Sequence, residues 1–595
     1  MSSYDSRLLN FVIFAPLVFA ALLMLLPKNE KGQIRALTFV AMLVDLVLAA
    51  YAYVRFSNGG NAEFRLEYWA SWVPEIGLGY HIGVDGIAAS LVLMTGVLGP
   101  LVVMASWTFV QDKVKEFHLA LLILQTAMMG ALCSLDILLF YVFFEAMLIP
   151  MYLLIGVWGS EDRQMAAMKF FLYTLVGSLL MLVALLGVYL IATPAGAHSF
   201  DYASIYNGLI GASREVWACS KTGACNLSPA AMALKTYGPY MFFAFALAFA
   251  IKVPMWPVHT WLPDAHTQAP VAGSMILAAV MLKMGTFGFW RFAVPLFPSV
   301  AQGWQLPLAV LSVIGIVYGA LMCLAQRDIK RLIAYSSVSH LGYCMLGIVA
   351  MTPEAATGSA YQMLNHGVST GALFLLFGML YERRHVRLIS DYGGLAKVMP
   401  VFTAFFVIIT FSSVAVPGTN GFIGEFLVLL GTFNSNLPLW VGVLAATGVV
   451  LGAAYMLLMV QKVFFGPVTR KENQGLSDMN LRELATALPF VILVVVMGLR
   501  PQPLLRVIEM STKPFIARAT LTSDTSDDKV RVVVRTPPTP EAAPAGGQVP
   551  AVGAVVPPEI RPEVRRPFGG GMKPMIQGAP TILPAPLMGA PEVQR

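Results

Sequence analysis

Charge is what this chain has least of. Asp, Glu, Lys and Arg make up 12% of its 595 residues, about half the share of a soluble domain. Cysteine is sparse too: five residues, with no C-x-x-C and no cluster, which argues against an iron–sulfur or zinc site. Cys133, Cys323 and Cys344 fall in apolar runs and read as small apolar fillers. Cys219 and Cys225 share the longest internal connection and can form a disulfide if that loop faces an oxidising compartment. A dinucleotide fingerprint is missing. So is any basic stripe interleaved with aromatics, and the net charge of +7 therefore does not point to nucleic acid. The first apolar run has no basic n-region and no A-x-A site, and another run follows at once. It is expected to be a span, not a cleavable signal.

What the chain has is hydrophobic residues, 57% of the total, in runs of about twenty between residues 8 and 500. A bilayer core about 30 Å thick needs that many helical residues. The runs are too long and too uniformly apolar for barrel strands, so helices are expected. The reading is an all-α polytopic membrane protein with about fourteen transmembrane helices. Lys and Arg crowd alternate connections, among them Lys28, Lys31 and Arg35, Arg327, Lys330 and Arg331, and Arg383, Arg384 and Arg387. Positive-inside then puts these connections in the cytoplasm and both termini outside.

Two spans are irregular. The seventh, at 238–261, carries Lys252, Pro254 and Pro257; the twelfth, at 400–434, is interrupted by VPGTNG. Proline removes a backbone donor and breaks helices. Paired broken helices in two halves of a membrane protein point to inverted repeats and a mid-membrane site. The expected organisation is helices 1–3 with an exterior hairpin or loop in 1–115, a first five-helix repeat in 116–300 and a second in 301–465. A cytoplasmic loop and helix 14 follow in 466–505, and 506–595 is expected as a Pro/Ala/Gly-rich exterior tail unable to build a core.

Four ionisable residues lie inside apolar runs: Glu145 in YVFFEAMLIP, Lys252 in FAIKVPMWP, Lys283 in AAVMLKMGTFG and Glu425 in GFIGEFLVLL. A charge at bilayer depth costs at least about 2.5–3.5 kcal/mol and is by default a functional residue. Glu145 lies nine residues after Asp136, about 13 Å deep. A desolvated Lys loses proton affinity and a nearby carboxylate restores it, so moving that carboxylate switches the Lys. His340 on the tenth span and His366 on the eleventh can relay protons between such stations, with Ser336, Ser337, Ser339, Gln362 and Asn365 filling gaps. Plainer roles stand beside these. Glu145 and Lys252 can form a structural ion pair, and each histidine can be an interhelical hydrogen-bonder. Two histidines on adjacent helices can also ligate haem, but no second such pair accompanies them. His259 and His266, in HTWLPDAH, are expected to cap a span end or bind in a loop.

FYVFFEAMLIPMYLLIGVWG, FAIKVPMWPVHTWLPDAHTQAPVAGSMILAAVMLKMGTFG and GFIGEFLVL resemble the antiporter-like subunits of proton-pumping NADH:quinone oxidoreductase, respiratory complex I. The resemblance runs from residue 1 to about 500. Most relatives carry Lys after the twelfth-span break; with Glu425 this chain resembles a smaller branch of the family. The resemblance implies a hydrated axis of Glu145, Lys252, Lys283 and Glu425, with His340 and His366 connecting, and proton transfer through it. It implies no cofactor in this chain: NADH, FMN, iron–sulfur clusters and quinone would belong to partner subunits. It further implies two other antiporter-like subunits as neighbours in a bacterial inner membrane. A subunit of a cation/proton antiporter or a membrane-bound hydrogenase, and a purely structural membrane scaffold, are the competing readings. The Pro-rich tail departs from the family's usual length.

Overall fold

The computed structural model describes residues 7–60, 62–192, 198–222 and 226–520. Among them, thirteen helices are long and apolar enough to cross a membrane. A further crossing is built from two shorter apolar helices, Pro400–Ser413 and Asn420–Phe433. That pair is the broken twelfth span. At its break Ala415 takes φ 58° and Gly418 φ 92°, left-handed backbone that glycine adopts freely and alanine rarely.

The seventh span is also broken. Its first helix, Pro229–Lys252, ends on the lysine, and a second helix, Trp261–Gln268, follows an irregular turn. Pro254 and Pro257 have no N–H to carry a ladder across that turn. The span thus starts and finishes several residues beyond the expected 238–261. In each expected set of five helices the fourth is the interrupted one, the seventh span in one and the twelfth in the other.

Residues 65–84 form an antiparallel hairpin, β1 (Arg65–Val73) and β2 (Leu78–Val84), between the second and third spans. The turn closes with Gly77 at φ 68°. Two expectations need correction. The long connection after the sixth span contains a helix, Tyr202–Thr222. Tyr202, Ile205, Tyr206 and Leu209 are buried at helical spacing along it. The expected tail also starts too early at 506, because Gln502–Thr520 is helical. Leu505, Ile508, Thr512, Phe515 and Ala519 give that helix a buried stripe. Phe515 packs on Trp290 with ring centroids 3.9 Å apart, and the Ser511 hydroxyl accepts from the Gly86 amide at 2.7 Å. The Pro-rich stretch from 521 lies outside the described residues. So does Cys225; Cys219 is disulfide-bonded, whereas Cys133, Cys323 and Cys344 are free.

Three spans are enclosed by protein along their whole apolar window: Val271–Leu296, Ile329–Val349 and Pro353–Arg384, the eighth, tenth and eleventh. Burial away from lipid lets these helices carry polar side chains at membrane depth, where they can satisfy one another.

Candidate functional site

The enclosed helices supply most of the site. Lys283 lies on the eighth span and is fully buried. The span is not regular there. Residues Leu277–Met281 and Phe289–Ala293 are π-helical, on either side of Lys283. Such wide turns loosen the backbone ladder and recur at functional sites. The Lys283 ammonium donates to the Ala278 carbonyl and meets Nδ1 of His366 at 2.5 Å. Gly285 lets this helix approach the end of the Pro229–Lys252 helix. A Cβ there would stand 2.7 Å from the Phe249 carbonyl oxygen.

His366 and His340 face each other from the eleventh and tenth spans, ring centroids 5.8 Å apart. When the ammonium donates to Nδ1 of His366, the ring proton sits on Nε2. That nitrogen has no hydrogen-bond partner among the described residues. His340 Nδ1 stands 2.8 Å from Glu425 Oε1, and its Nε2 is 3.5 Å from the Ser413 hydroxyl at the twelfth-span break. Glu425 also accepts from Gln362 Nε2 at 3.0 Å, and Gln362 Oε1 accepts from Asn365 Nδ2 at 3.1 Å. Gly424 makes this closeness possible, since a Cβ there would fall 2.4 Å from Gln362 Oε1. The structure therefore gathers Lys283, His366, His340 and Glu425 into one sequence of contacts across four spans. A separate run of Ser369, Ser412 and Asn420 lies at the same break, each successive oxygen pair 2.5 Å apart.

Glu145 and Lys252 are arranged differently. Asp136 caps the fifth span, its carboxylate accepting from the amides of Leu138 and Leu139 at 3.0 Å. Glu145 is partly buried beside Ser178 of the sixth span. Lys252 is buried, with its ammonium 4.7 Å from the ring centroid of Phe144 and 5.9 Å from that of Phe170. No ion pair within 4.0 Å joins Glu145 to Lys252. The aromatic faces, not the carboxylate, are the direct neighbours of the ammonium.

Several buried polar groups escaped the sequence reading. Asp45, in the second span, is fully buried and accepts from Gln125 Nε2 at 2.7 Å; its other oxygen has no partner among the described residues. The signal that found Glu145, an acid inside an apolar run, applied equally to Asp45. Lys330 reads in the sequence as one more basic-loop residue, yet it is buried and donates to the Ala269 carbonyl at 2.5 Å. It lines a cavity of about 280 Å³ together with Arg387 and Glu161. His266 belongs to no exposed loop: it is fully buried in the second half of the seventh span, stacked on Phe374 with centroids 4.6 Å apart. His259 is buried against Tyr318. Arg291, on the eighth span, pairs with Asp85 at 2.9 Å. Among the described residues no group of three or more His, Cys, Asp or Glu is placed to hold a metal ion.

Comparison with known proteins bears on the arrangement. The family model described as NADH:quinone oxidoreductase/Mrp antiporter, TM, matches residues 134–452. The chain is 42% identical over 506 residues to NADH-quinone oxidoreductase subunit M of Rhodobacter capsulatus, covering 83% of this chain and 93% of that relative. A chain of respiratory complex I from Thermus thermophilus, solved with bound NADH, superimposes with a TM-score of 0.74 at 33% identity, over 86% of this chain and 99% of that one. A chain of the Mrp complex from Dietzia sp. DQ12-45-1b gives a TM-score of 0.72 at 18% identity, over 87% and 99% of the two chains. At that identity the likeness is one of fold alone.

Proposed function

The chain belongs to the NADH:quinone oxidoreductase/Mrp antiporter transmembrane family, among the antiporter-like membrane subunits of complex I, and on that premise we propose that it carries protons along Glu145, Lys252, Lys283 and Glu425. The observation that supports this most is the run of contacts from Lys283 through His366 and His340 to Glu425. Each member can gain or lose a proton, and each is held by a different span. A shift of one helix alters a contact and with it the proton affinity of both partners.

Electron transfer from NADH to quinone would take place in partner subunits that hold FMN and iron–sulfur clusters. Its energy would reach this chain as an electrostatic or conformational change at Glu145 and Lys252. The separation of those two side chains suits such a switch. Drawing the carboxylate onto the ammonium raises the proton affinity of Lys252, and withdrawing it releases a proton toward Lys283. The cavity at Lys330 offers an intake on the basic side, and Glu425 hands the proton to the opposite side or to a neighbour. The neighbours would be the two other antiporter-like subunits, in a bacterial inner membrane with both termini on the exterior side. The five-helix sets at 116–300 and 301–465 would be inverted repeats, each built around its broken helix.

The test uses the assembled complex in reconstituted vesicles. Lys283→Ala is expected to leave assembly intact and to abolish most of the protons moved per NADH oxidised. A variant that assembles and pumps with wild-type efficiency would sink the proposal. Loss of assembly with normal pumping in the surviving complexes would favour a structural role.

A further inference from the structure

An apolar groove of about 320 Å³ opens between the second, third, eleventh and fourteenth spans and the start of the Gln502–Thr520 helix. Its walls include Tyr53, Leu93, Val97, Leu364 and Leu493, and Arg500 stands at its mouth. Arg500 directly follows the fourteenth span, Leu481–Leu499, and is exposed. Its guanidinium makes no hydrogen bond or ion pair among the described residues. Three of these spans fix the level of its mouth. Tyr53 is near the end of the second span, Ser90 near the start of the third, and Arg500 just past the fourteenth. The mouth is thus at the bilayer surface on the side of the β1–β2 hairpin. From Arg500 down to Phe490, the deepest fourteenth-span wall residue, is ten residues, or about 15 Å of helix. That is half of a hydrocarbon core about 30 Å thick, the depth of a single leaflet.

We propose that this groove binds one glycerophospholipid of the hairpin-side leaflet, with an acyl chain against Leu93, Val97 and Leu493 and its phosphodiester on Arg500. Three features commit the site to a lipid. The walls are apolar over one leaflet's depth. The single cation sits at headgroup level, where a planar guanidinium can take two phosphate oxygens at once. The groove is also open on the outer face of this chain, where its lining residue Val496 is exposed. The bound chain has a specific place relative to the polar axis. Leu364 and Val368, two residues to either side of His366, reach the groove from the eleventh span. Gly367 touches Met94 of the groove wall so closely that a Cβ would fall 2.5 Å from its sulfur. An acyl chain there closes the packing behind His366 and keeps stray water out. The inference needs only the spans and holds whether or not the proton reading is right.

The test is photolabelling of the assembled complex in membranes with a phosphatidylglycerol bearing a diazirine halfway along one acyl chain. Labelled residues are mapped by mass spectrometry. Label should concentrate on Leu93, Val97 and Leu493 over Val176 and Val183, which are exposed on the sixth span. Arg500→Ala should lower it about fivefold, as expected for one cation at an anionic surface. Val97→Trp should fill the groove and remove the label while Arg500 stays. Arg500 is exposed, so its variant carries the test even where Val97→Trp fails to assemble. Label spread evenly over both regions would overturn the proposal, as would label unaffected by Arg500→Ala. Protein–protein crosslinks from another subunit to Leu93 or Leu493 would also overturn it, by showing that a protein covers the groove.

Discussion

Lys252 holds its ammonium 4.7 Å from the centre of the Phe144 ring, the side chain next in sequence to Glu145. The carboxylate expected to pair with it is close in sequence to that ring yet forms no ion pair with the lysine. An ammonium over aromatic faces is held by about 0.5–2 kcal/mol when desolvated. It is a weak restraint that a modest field can overcome.

Glu145→Gln should therefore remove the switch without unfolding the helix, because Gln keeps the shape and loses the charge. Proton uptake per NADH in vesicles is expected to fall strongly while native gels show normal complex. Phe144→Leu should have a smaller effect on the same readout. An equal or larger loss in Phe144→Leu would move the switch from the carboxylate to the ring.

His340 touches Glu425 directly. His340→Ala leaves that carboxylate with Gln362 alone, a group that cannot pass a proton on at neutral pH. A general acid–base group contributes about a hundredfold or more where a proton must be relayed. Pumping in His340→Ala is expected to drop to a small residue, with His340→Gln no better, since the amide keeps a hydrogen bond but not the titration. Normal pumping in His340→Gln would make the histidine a positioning group only.

Gly424→Ala pushes a methyl group into Gln362 and Asn365. Overpacking of this kind costs about 1–3 kcal/mol. Thermal stability of the purified complex should fall, and pumping should fall with it because Gln362 is displaced from Glu425. The check is a melting curve alongside the pumping assay. An unchanged melting temperature would mean that the polar pair yields freely.

Arg518 reaches back from the last described helix to pair with Glu63, both guanidinium NH groups donating to the carboxylate. Arg518 is buried and holds its proton more firmly than usual: burial opposes the charge, but Glu63 more than offsets it. Breaking a buried pair from one side costs about 3–5 kcal/mol. Glu63 is partly exposed, so about 3 is expected for Arg518→Ala. The assembled subunit should become more sensitive to proteolysis between residues 500 and 520, which quantitative peptide mapping would detect.

The hairpin carries its own pH dependence. His81 on β2 stands 2.6 Å from Asp201 and 3.7 Å from Glu67. Burial opposes the imidazolium, yet the two acids carry its pKa from 6.5 up to about 9. A pKa raised on folding contributes stability that is whole below the unfolded value and lost as pH rises through the folded one. Hydrogen exchange in residues 65–84, corrected for intrinsic rate, should be slow up to pH 6.5 and accelerate toward pH 9. His81→Gln should abolish that dependence.

The membrane class, the number of crossings and the two broken spans were legible because each follows from local chemistry. Run length, alternation of basic loops and proline placement are read along the chain itself. The two amphipathic helices at Tyr202–Thr222 and Gln502–Thr520 were missed because mixed polarity in a short segment looks like a loop until a partner surface is known. Lys330 was missed for a related reason: a basic residue at a span end belongs to the aqueous side by default, and only the carbonyl of Ala269 makes it a buried group.

Apolar runs on both sides put Glu145, Lys252, Lys283 and Glu425 at membrane depth, and that much can be read along the chain. So can the placing of His340 and His366 on neighbouring spans. Which of these groups meet depends on how the helices pack. Lys283 finds His366, His340 finds Glu425, and Lys252 finds an aromatic ring in place of its expected acid. Those contacts depend on the rotation of each helix about its axis and on the close approaches at Gly285 and Gly424. Packing between distant segments sets both, and no local pattern along the chain encodes them.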